Sequence, residues 1–180
     1  MGSRVVVVNG GSSAGTTTLC RELQSALLPK PWLTTGIDVF VDSLPLDLQA
    51  SPEAFAVDDR GAVVLGDVFR RLEAAWMAGV AATARAGADL LVDDVFLGGV
   101  ESQQRWRRAL AGLDVVWVGV RCAPDVAERR EAARPDRPGG MARSQALRVH
   151  HGVSYDVEVD TTATAARACA EHVMGFLRHR

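Results

Sequence analysis

The amino-acid sequence predicts an α/β fold, a five-stranded parallel sheet with helices on both faces. Short unbroken runs of β-branched and apolar residues recur, at Val5 to Val8, Leu90 to Val92 and Val115 to Val120, as strands buried on both faces require. Helical patterns of ten or more residues separate them, which implies parallel strands joined by right-handed crossovers. The first run also ends in a glycine-rich turn that opens a helix.

The first strand, Val5 to Val8, is bounded by Asn9-Gly10-Gly11. Thr17 to Leu28 then carries Leu19, Leu23, Ala26 and Leu27 at helical spacing until Pro29 and Pro31 stop it. Trp32 to Thr35 reads as a second strand, and Asp38 stands where an N-cap of the next helix would. Phe55-Ala56-Val57 and Ala62 to Leu65 flank Asp58 to Gly61, a hairpin pattern. Asp67 to Arg85 is a long helix with Phe69, Leu72, Trp76 and Val80 on one side; for Phe69, Leu72 and Trp76 the core is the expected place. Asp89 to Asp93 is the next strand, Val100 to Leu110 a helix, and Val115 to Val120 a strand. Asp125 to Ala133 is helical, Arg134 to Gly140 breaks the pattern, and Met141 to His150 resumes it. Val157 to Val159 and Thr164 to Leu177 complete the chain as strand and helix.

With 180 residues, one domain spanning 1–180 is expected. Hydrophobic residues make up 48% and charged residues 23%, and the net charge is −2, which gives no reason to expect nucleic-acid or membrane attraction. No apolar stretch reaches the length of a membrane span. Met1 to Arg4 leads straight into a strand, so no secretory leader is expected and the expected location is the cytoplasm. Cys20, Cys122 and Cys169 are far apart and odd in number, which reads as buried apolar side chains rather than a disulfide or metal framework. His150 and His151 are adjacent, so on a helix they share no face; they are expected at a helix end near solvent.

Gly10-Gly11-Ser12-Ser13-Ala14-Gly15-Thr16-Thr17 carries the spacing of the phosphate loop G-x-x-x-x-G-K-[ST], with Thr16 at the lysine position. Small residues there let successive amides turn toward a phosphate oxygen, and the helix N-terminus adds a partial positive charge. Thr17 supplies a hydroxyl for Mg²⁺. The lysine normally follows charge on the β- and γ-phosphates; Lys30 is the only lysine in the chain and a poor replacement. The alternative is a Gly/Ser turn in another kind of α/β domain.

Val7 to Gly15 resembles the opening of the chloramphenicol phosphotransferase family. The resemblance continues at Pro31-Trp32-Leu33, Gly36-Ile37-Asp38, Asp93 to Gly99, Val116 to Cys122 and Tyr155 to Thr162, across nearly the whole chain. It implies a P-loop kinase fold with sheet order 2-3-1-4-5, and a small lid at residues 131–141. It also implies transfer of the γ-phosphate of ATP to a hydroxyl of an antibiotic. The departure is Thr16, where the family has lysine.

Asp38 matches the family's proposed general base. It follows the second strand, at the carboxyl edge where ligands of open α/β sheets bind. Asp93 and Asp94 end the strand beside the loop strand, and either could serve Mg²⁺ or the substrate; Asp93 is assigned to the metal and Asp94 to the substrate. Phe96 and Leu97, just past that strand end, are candidate acceptor-pocket residues. Arg134 and Arg137 match the arginines of the family's lid, suited to phosphoryl oxygens; Arg129 and Arg130 are weaker candidates. The cofactors expected are ATP, or another nucleoside triphosphate, and Mg²⁺. The partner is a small hydroxylated acceptor, and a homo-oligomer is left open. Two competing readings are a binding protein that has lost catalysis and a kinase for a nucleoside or sugar-type acceptor with another donor.

Overall fold

The computed structural model describes residues 3–57, 63–133 and 140–180. The elements follow in the order β1 (Arg4–Gly10), α1 (Thr16–Ala26), β2 (Trp32–Gly36), α2 (Ile37–Asp42), α3 (Leu46–Gln49), β3 (Phe55–Val57), β4 (Val63–Leu65), α4 (Asp67–Arg85), β5 (Asp89–Asp94), α5 (Val100–Ala109), β6 (Asp114–Arg121), α6 (Pro124–Ala132), α7 (Met141–Arg148), β7 (Val157–Asp160) and α8 (Ala166–His179). The main sheet runs β2-β5-β1-β6-β7, all parallel. Counting its own strands along the chain, this is the order 2-3-1-4-5. The strands β3 and β4 form a separate antiparallel pair, and the turn expected between them lies outside the described residues.

β1 is the middle strand, and its valines are divided between two cores by the two-residue period of a strand. Val6 and Val8 pack with Leu19 and Leu23 of α1 and with Val173 and Leu177 of α8. Val5 and Val7 face the other way, onto Met77, Val80 and Ala84 of α4 and Trp106 of α5. All four valines are essentially inaccessible to water. Each contributes roughly 1.5–3 kcal/mol by burial, which is why so short a run suffices to anchor the sheet. A third, smaller cluster joins Phe40, Leu44, Ala54 and Phe69 beneath α2, α3 and the β3–β4 pair. Here Phe40 stacks on Trp76, with Phe69 edge-on to Phe40. Cys20, Cys122 and Cys169 are buried free thiols, as apolar side chains would be.

Several element ends differ from the sequence expectation. Asp38 is not an N-cap: α2 begins at Ile37 with extended Gly36 before it, and Asp38 lies inside the first helical turn. Gly36 also marks a tight approach of β2 to β5. A Cβ on Gly36 would lie 2.8 Å from the carbonyl oxygen of Asp93. Gly36→Ala is therefore expected to force the two strand ends apart, lowering stability by about 1–3 kcal/mol in urea denaturation and displacing Asp38 and Asp93 together. The short helix α3 has no counterpart in the sequence pattern, because four residues show no usable periodicity.

His150 departs most from expectation. It is buried, whereas its neighbour His151 is exposed. Its Nδ1 is 2.6 Å from the Tyr155 hydroxyl. Tyr155 also accepts from Asn9 Nδ2 at 2.5 Å, and Asn9 Nδ2 donates to the carbonyl of Val149 at 2.9 Å. Asn9 Oδ1 in turn accepts the Phe96 amide. This network ties the residue before the phosphate loop to the turn after β5 and to the end of α7. Burial, then the charge of Arg121, lowers the His150 pKa from 6.5 to about 4. The unfolded chain therefore binds more protons between those values, and stability falls as pH drops from 6.5 toward 4. Between pH 7 and 4.5 this group is expected to remove about 2–3 kcal/mol of unfolding free energy. Urea unfolding at the two pH values should show a correspondingly smaller loss in His150→Asn, whose amide oxygen can replace the ring acceptor.

Candidate active site

The carboxyl ends of β1, β5 and β2 lie side by side, with Val8 opposite Asp93, Asn9 opposite Asp94 and Gly36 opposite Asp93. The chain leaves β1 toward β2 and β5 on one side, and β6 and β7 lie on the other. This is the switch point at which open α/β sheets bind ligands. A cavity of about 370 Å³ occupies it.

One wall of the cavity is the glycine-rich turn between β1 and α1. Gly15 is left-handed (φ 93°), and α1 starts after it with no side-chain cap. The first amides of a helix have no intrahelical partner, so this end presents donors to the cavity. Ser13 adopts φ 60°, uncommon for a residue with a side chain. Its Oγ is buried without a hydrogen-bond partner among the described residues, a cost of roughly 1–3 kcal/mol that a phosphate oxygen would relieve. A phosphate group therefore fits the turn. Thr16 is buried, and its methyl group stands where a side chain on Gly10 would have to go, 2.6 Å from that Cβ position. The turn is held from behind by the far end of the fold. Gln145 Oε1 of α7 accepts the Ser12 amide at 2.9 Å. Glu131, at the end of α6, is buried and accepts the amides of Gly140 and Ala142.

Across the cavity, Thr17 Oγ1 donates to Asp93 Oδ2 at 2.7 Å. A hydroxyl beside a carboxylate is a hard-oxygen pair suited to Mg²⁺, which takes one or two protein oxygens and completes its shell with water and phosphate. Among the described residues no group of three or more His, Cys, Asp or Glu gathers as a dedicated metal cage. Asp38 reaches the same cavity from α2. Asp94 is buried and held by two donors, the Val95 amide at 2.6 Å and the indole N–H of Trp106. Burial dominates over those hydrogen bonds and raises the Asp94 pKa from 3.8 to about 7, with the nearby charges of Glu73 and Asp93 adding to the shift.

The residues of the turn from Gly11 to Thr17, Asp38, Asp93, Asp94 and Leu97 are thus gathered around one space, with Gly10 and Ala14 buried behind it. Phe96 is corrected: it does not line the cavity but is fully buried in the core facing Trp117, ring centroids 6.4 Å apart. The Asn9 bond to its amide turns the chain so that Phe96 points inward and Leu97 outward. Arg134 and Arg137 lie outside the described residues. Arg129 pairs with Asp125, and Arg130 donates to the Thr161 carbonyl. Lys30 is engaged with Asp89 at the opposite end of β5. Sequence reasoning missed Arg21, Glu73, Ser102, Arg105 and Gln145, all of which border the cavity. Only Glu73 carried a local signal, a charge four residues after Phe69 on the apolar stripe of α4.

A phosphate-cradling turn set across a sheet edge from two carboxylate-bearing strand ends is how a P-loop kinase presents a nucleotide to an acceptor. The chain has that nucleotide-binding fold. Residues 3–178 match the family described as Chloramphenicol phosphotransferase-like protein, and the chain belongs to that family. It is accordingly an O-phosphotransferase, a kinase-like enzyme acting on hydroxyl groups. A protein of Mycobacterium tuberculosis provisionally named an O-phosphotransferase, from two strains, is 32% identical over 186 residues, covering 94% of this chain and 80% of the relative. Two solved structures share the fold. A sugar kinase from Janibacter sp. superposes with TM-score 0.71 at 18% identity, over 98% of this chain and 95% of that one. The APS kinase of M. tuberculosis in complex with AMPPNP and APS superposes with TM-score 0.68 at 18% identity, over 98% of each chain. Among the described residues no helix is long and apolar enough to cross a membrane.

Proposed function

We propose that the chain transfers the γ-phosphate of ATP to a hydroxyl of a small molecule, with chloramphenicol or another hydroxylated antibiotic as the acceptor. The single observation that carries this reading is that the phosphate turn, the Thr17–Asp93 pair and Asp38 border one cavity. That a protein of the same fold has been solved with AMPPNP and APS together supports a site of this design holding a nucleotide and an acceptor at once.

The amides from Ser13 to Thr17 and the N-terminus of α1 hold the phosphates. Mg²⁺, when bound at Thr17 and Asp93, supplies charge neutralisation at the phosphate oxygens. The Asp38 carboxylate takes the proton of the acceptor hydroxyl. The freed oxygen bonds to the γ-phosphorus as the bond to the β–γ bridging oxygen breaks, and ADP leaves with that electron pair. Residues 131–141 serve as the lid within a single domain, and Arg134 and Arg137 stabilise the transferring phosphoryl group. Leu97 and Asp94 border the acceptor side. The enzyme works in the cytoplasm.

One observation favours a second reading. Thr16 is buried against Gly10 and brings no cation to the phosphates, as a protein that binds ligand without turning it over would allow. Mass spectrometry decides between them. The protein is incubated with ATP, Mg²⁺ and chloramphenicol or a panel of hydroxylated antibiotics. A gain of one phosphate on any acceptor is expected; binding of nucleotide with no phosphorylated product would leave only the binding reading.

A further inference from the structure

The helices α6 and α7 join β6 to β7, the two strands on the opposite side of β1 from β5 and Asp93. Glu131 fixes the start of α7. Its carboxylate accepts the amides of Gly140 and Ala142, and the Ser12 hydroxyl donates to its Oε1 at 3.4 Å. Gln145 stands one helical turn after Ala142 and so shares its face. That face lies directly against the phosphate turn: a Cβ on Gly11 would be 3.2 Å from the main-chain carbonyl carbon of Gln145 and 3.3 Å from its Cβ.

The Gln145 side chain is buried, and its two ends do different work. One end meets the Ser12 amide. A main-chain N–H can only donate, so the atom facing it is the carbonyl oxygen, and the other end of the same planar amide is the NH2 group. That group has no hydrogen-bond partner among the described residues, and Gln145 borders the cavity. Ser13, next along the turn, also has a buried Oγ with no partner among the described residues and borders the same cavity. Two buried donors beside the amides of the turn are costly to leave unpaired, and one oxygen-rich anion satisfies both. Thr16 brings no cation to this end of the turn, so neutral donors carry more of the recognition.

We propose that Gln145 is a phosphate ligand: its Nε2 donates to an oxygen of the phosphate group seated in the turn, while its Oε1 holds Ser12 in place. The inference rests on the reading that the turn seats the phosphates of a nucleotide, and it adds a recognition group from outside the turn. Because Glu131 fixes α7 and Gln145 joins α7 to the phosphate, nucleotide binding and the packing of α7 on the turn reinforce each other.

The test is binding of AMPPNP with Mg²⁺ to the full chain, by titration calorimetry at pH 8 and pH 5.5, for the wild type, Gln145→Met and Gln145→Glu. Methionine keeps the length of the side chain and loses both polar ends. Glutamate keeps an oxygen for Ser12 and replaces the NH2 group by a charged oxygen, which becomes a donor again on protonation. Beside an anion and out of water, such a carboxyl titrates above its usual range. At pH 8 the methionine variant is expected to bind about 10-fold and the glutamate variant about 100-fold more weakly than the wild type, the range of a hydrogen bond to a charged group. At pH 5.5 the glutamate variant is expected to bind more tightly than the methionine variant. Comparing variants at one pH cancels the titration of the nucleotide, of Glu131 and of Asp93. Wild-type affinity in the glutamate variant at pH 8, with the methionine variant weaker, means that Gln145 serves only Ser12 and overturns the inference. Should urea unfolding show that either variant does not fold, the wild type decides alone. The side-chain ¹⁵N resonance of Gln145, assigned through its own backbone, is expected to shift on addition of AMPPNP, and its NH2 protons to exchange more slowly; an unchanged resonance overturns the inference. A wild type that takes up no AMPPNP removes the nucleotide reading itself, and the inference with it.

Discussion

Asp38→Ala is expected to lower kcat for phosphate transfer by about 10²–10⁴-fold, the usual contribution of a positioned general base, while leaving nucleotide binding and the unfolding midpoint close to those of the wild type. The side chain lies in the first turn of α2 and is exposed, so its removal opens no void in the core. Its backbone is carried by the end of β2, which is pressed against β5 at Gly36. Single-turnover kinetics with ATP and a phosphorylated acceptor as product, beside nucleotide titration, separates the two effects. An alanine variant as active as the wild type would end the assignment of Asp38 as the base. A variant that is inactive because it no longer binds nucleotide would move Asp38 to a structural role.

Thr16→Lys is expected to act in the opposite direction. A single electrostatic donor aimed at developing charge contributes about 10²–10³ to kcat in well-studied sites, so restoring a lysine at the end of the turn should raise kcat by about 10–100-fold. Thr16 already borders the cavity, and a lysine stem extended in that direction leaves the space beside Gly10 that the threonine methyl now fills. Steady-state kinetics at saturating ATP is the measurement. A rise in kcat means that the turn works with amides and a helix end alone and lacks a cation. An unchanged kcat means that another cation already fills that role. Arg21 is the described candidate on the phosphate side, one turn beyond Thr17 on α1 and bordering the same cavity.

The two substitutions probe different parts of the same geometry, and both positions could be singled out from the sequence. The spacing from Gly10 to Thr17 marks the turn, because only small residues after a buried strand allow consecutive amides to face one point. Asp38 stands out by the resemblance and by its place after the second strand, although the helix it joins is capped two residues earlier, at Gly36. Asp93 and Asp94 could not be told apart along the chain. In the fold they alternate across β5, as strand neighbours must. Asp93 meets Thr17, while Asp94 turns into the protein and meets the Trp106 indole.

The architecture is legible along the chain: parallel strands separated by helices, the central valine strand and the phosphate turn. These follow from local periodicity and from steric rules that act within a few residues. Long-range packing is what places Phe96 in the core, buries His150 against Tyr155, and brings Arg105 to Glu73 at the cavity wall. Each of those depends on partners dozens of residues away, such as Asn9 for Phe96 and α4 for Arg105. The direction of a side chain at a strand end or helix face is settled by which long-range hydrogen bonds and ion pairs can form once the elements pack, and no pattern along the chain encodes that choice.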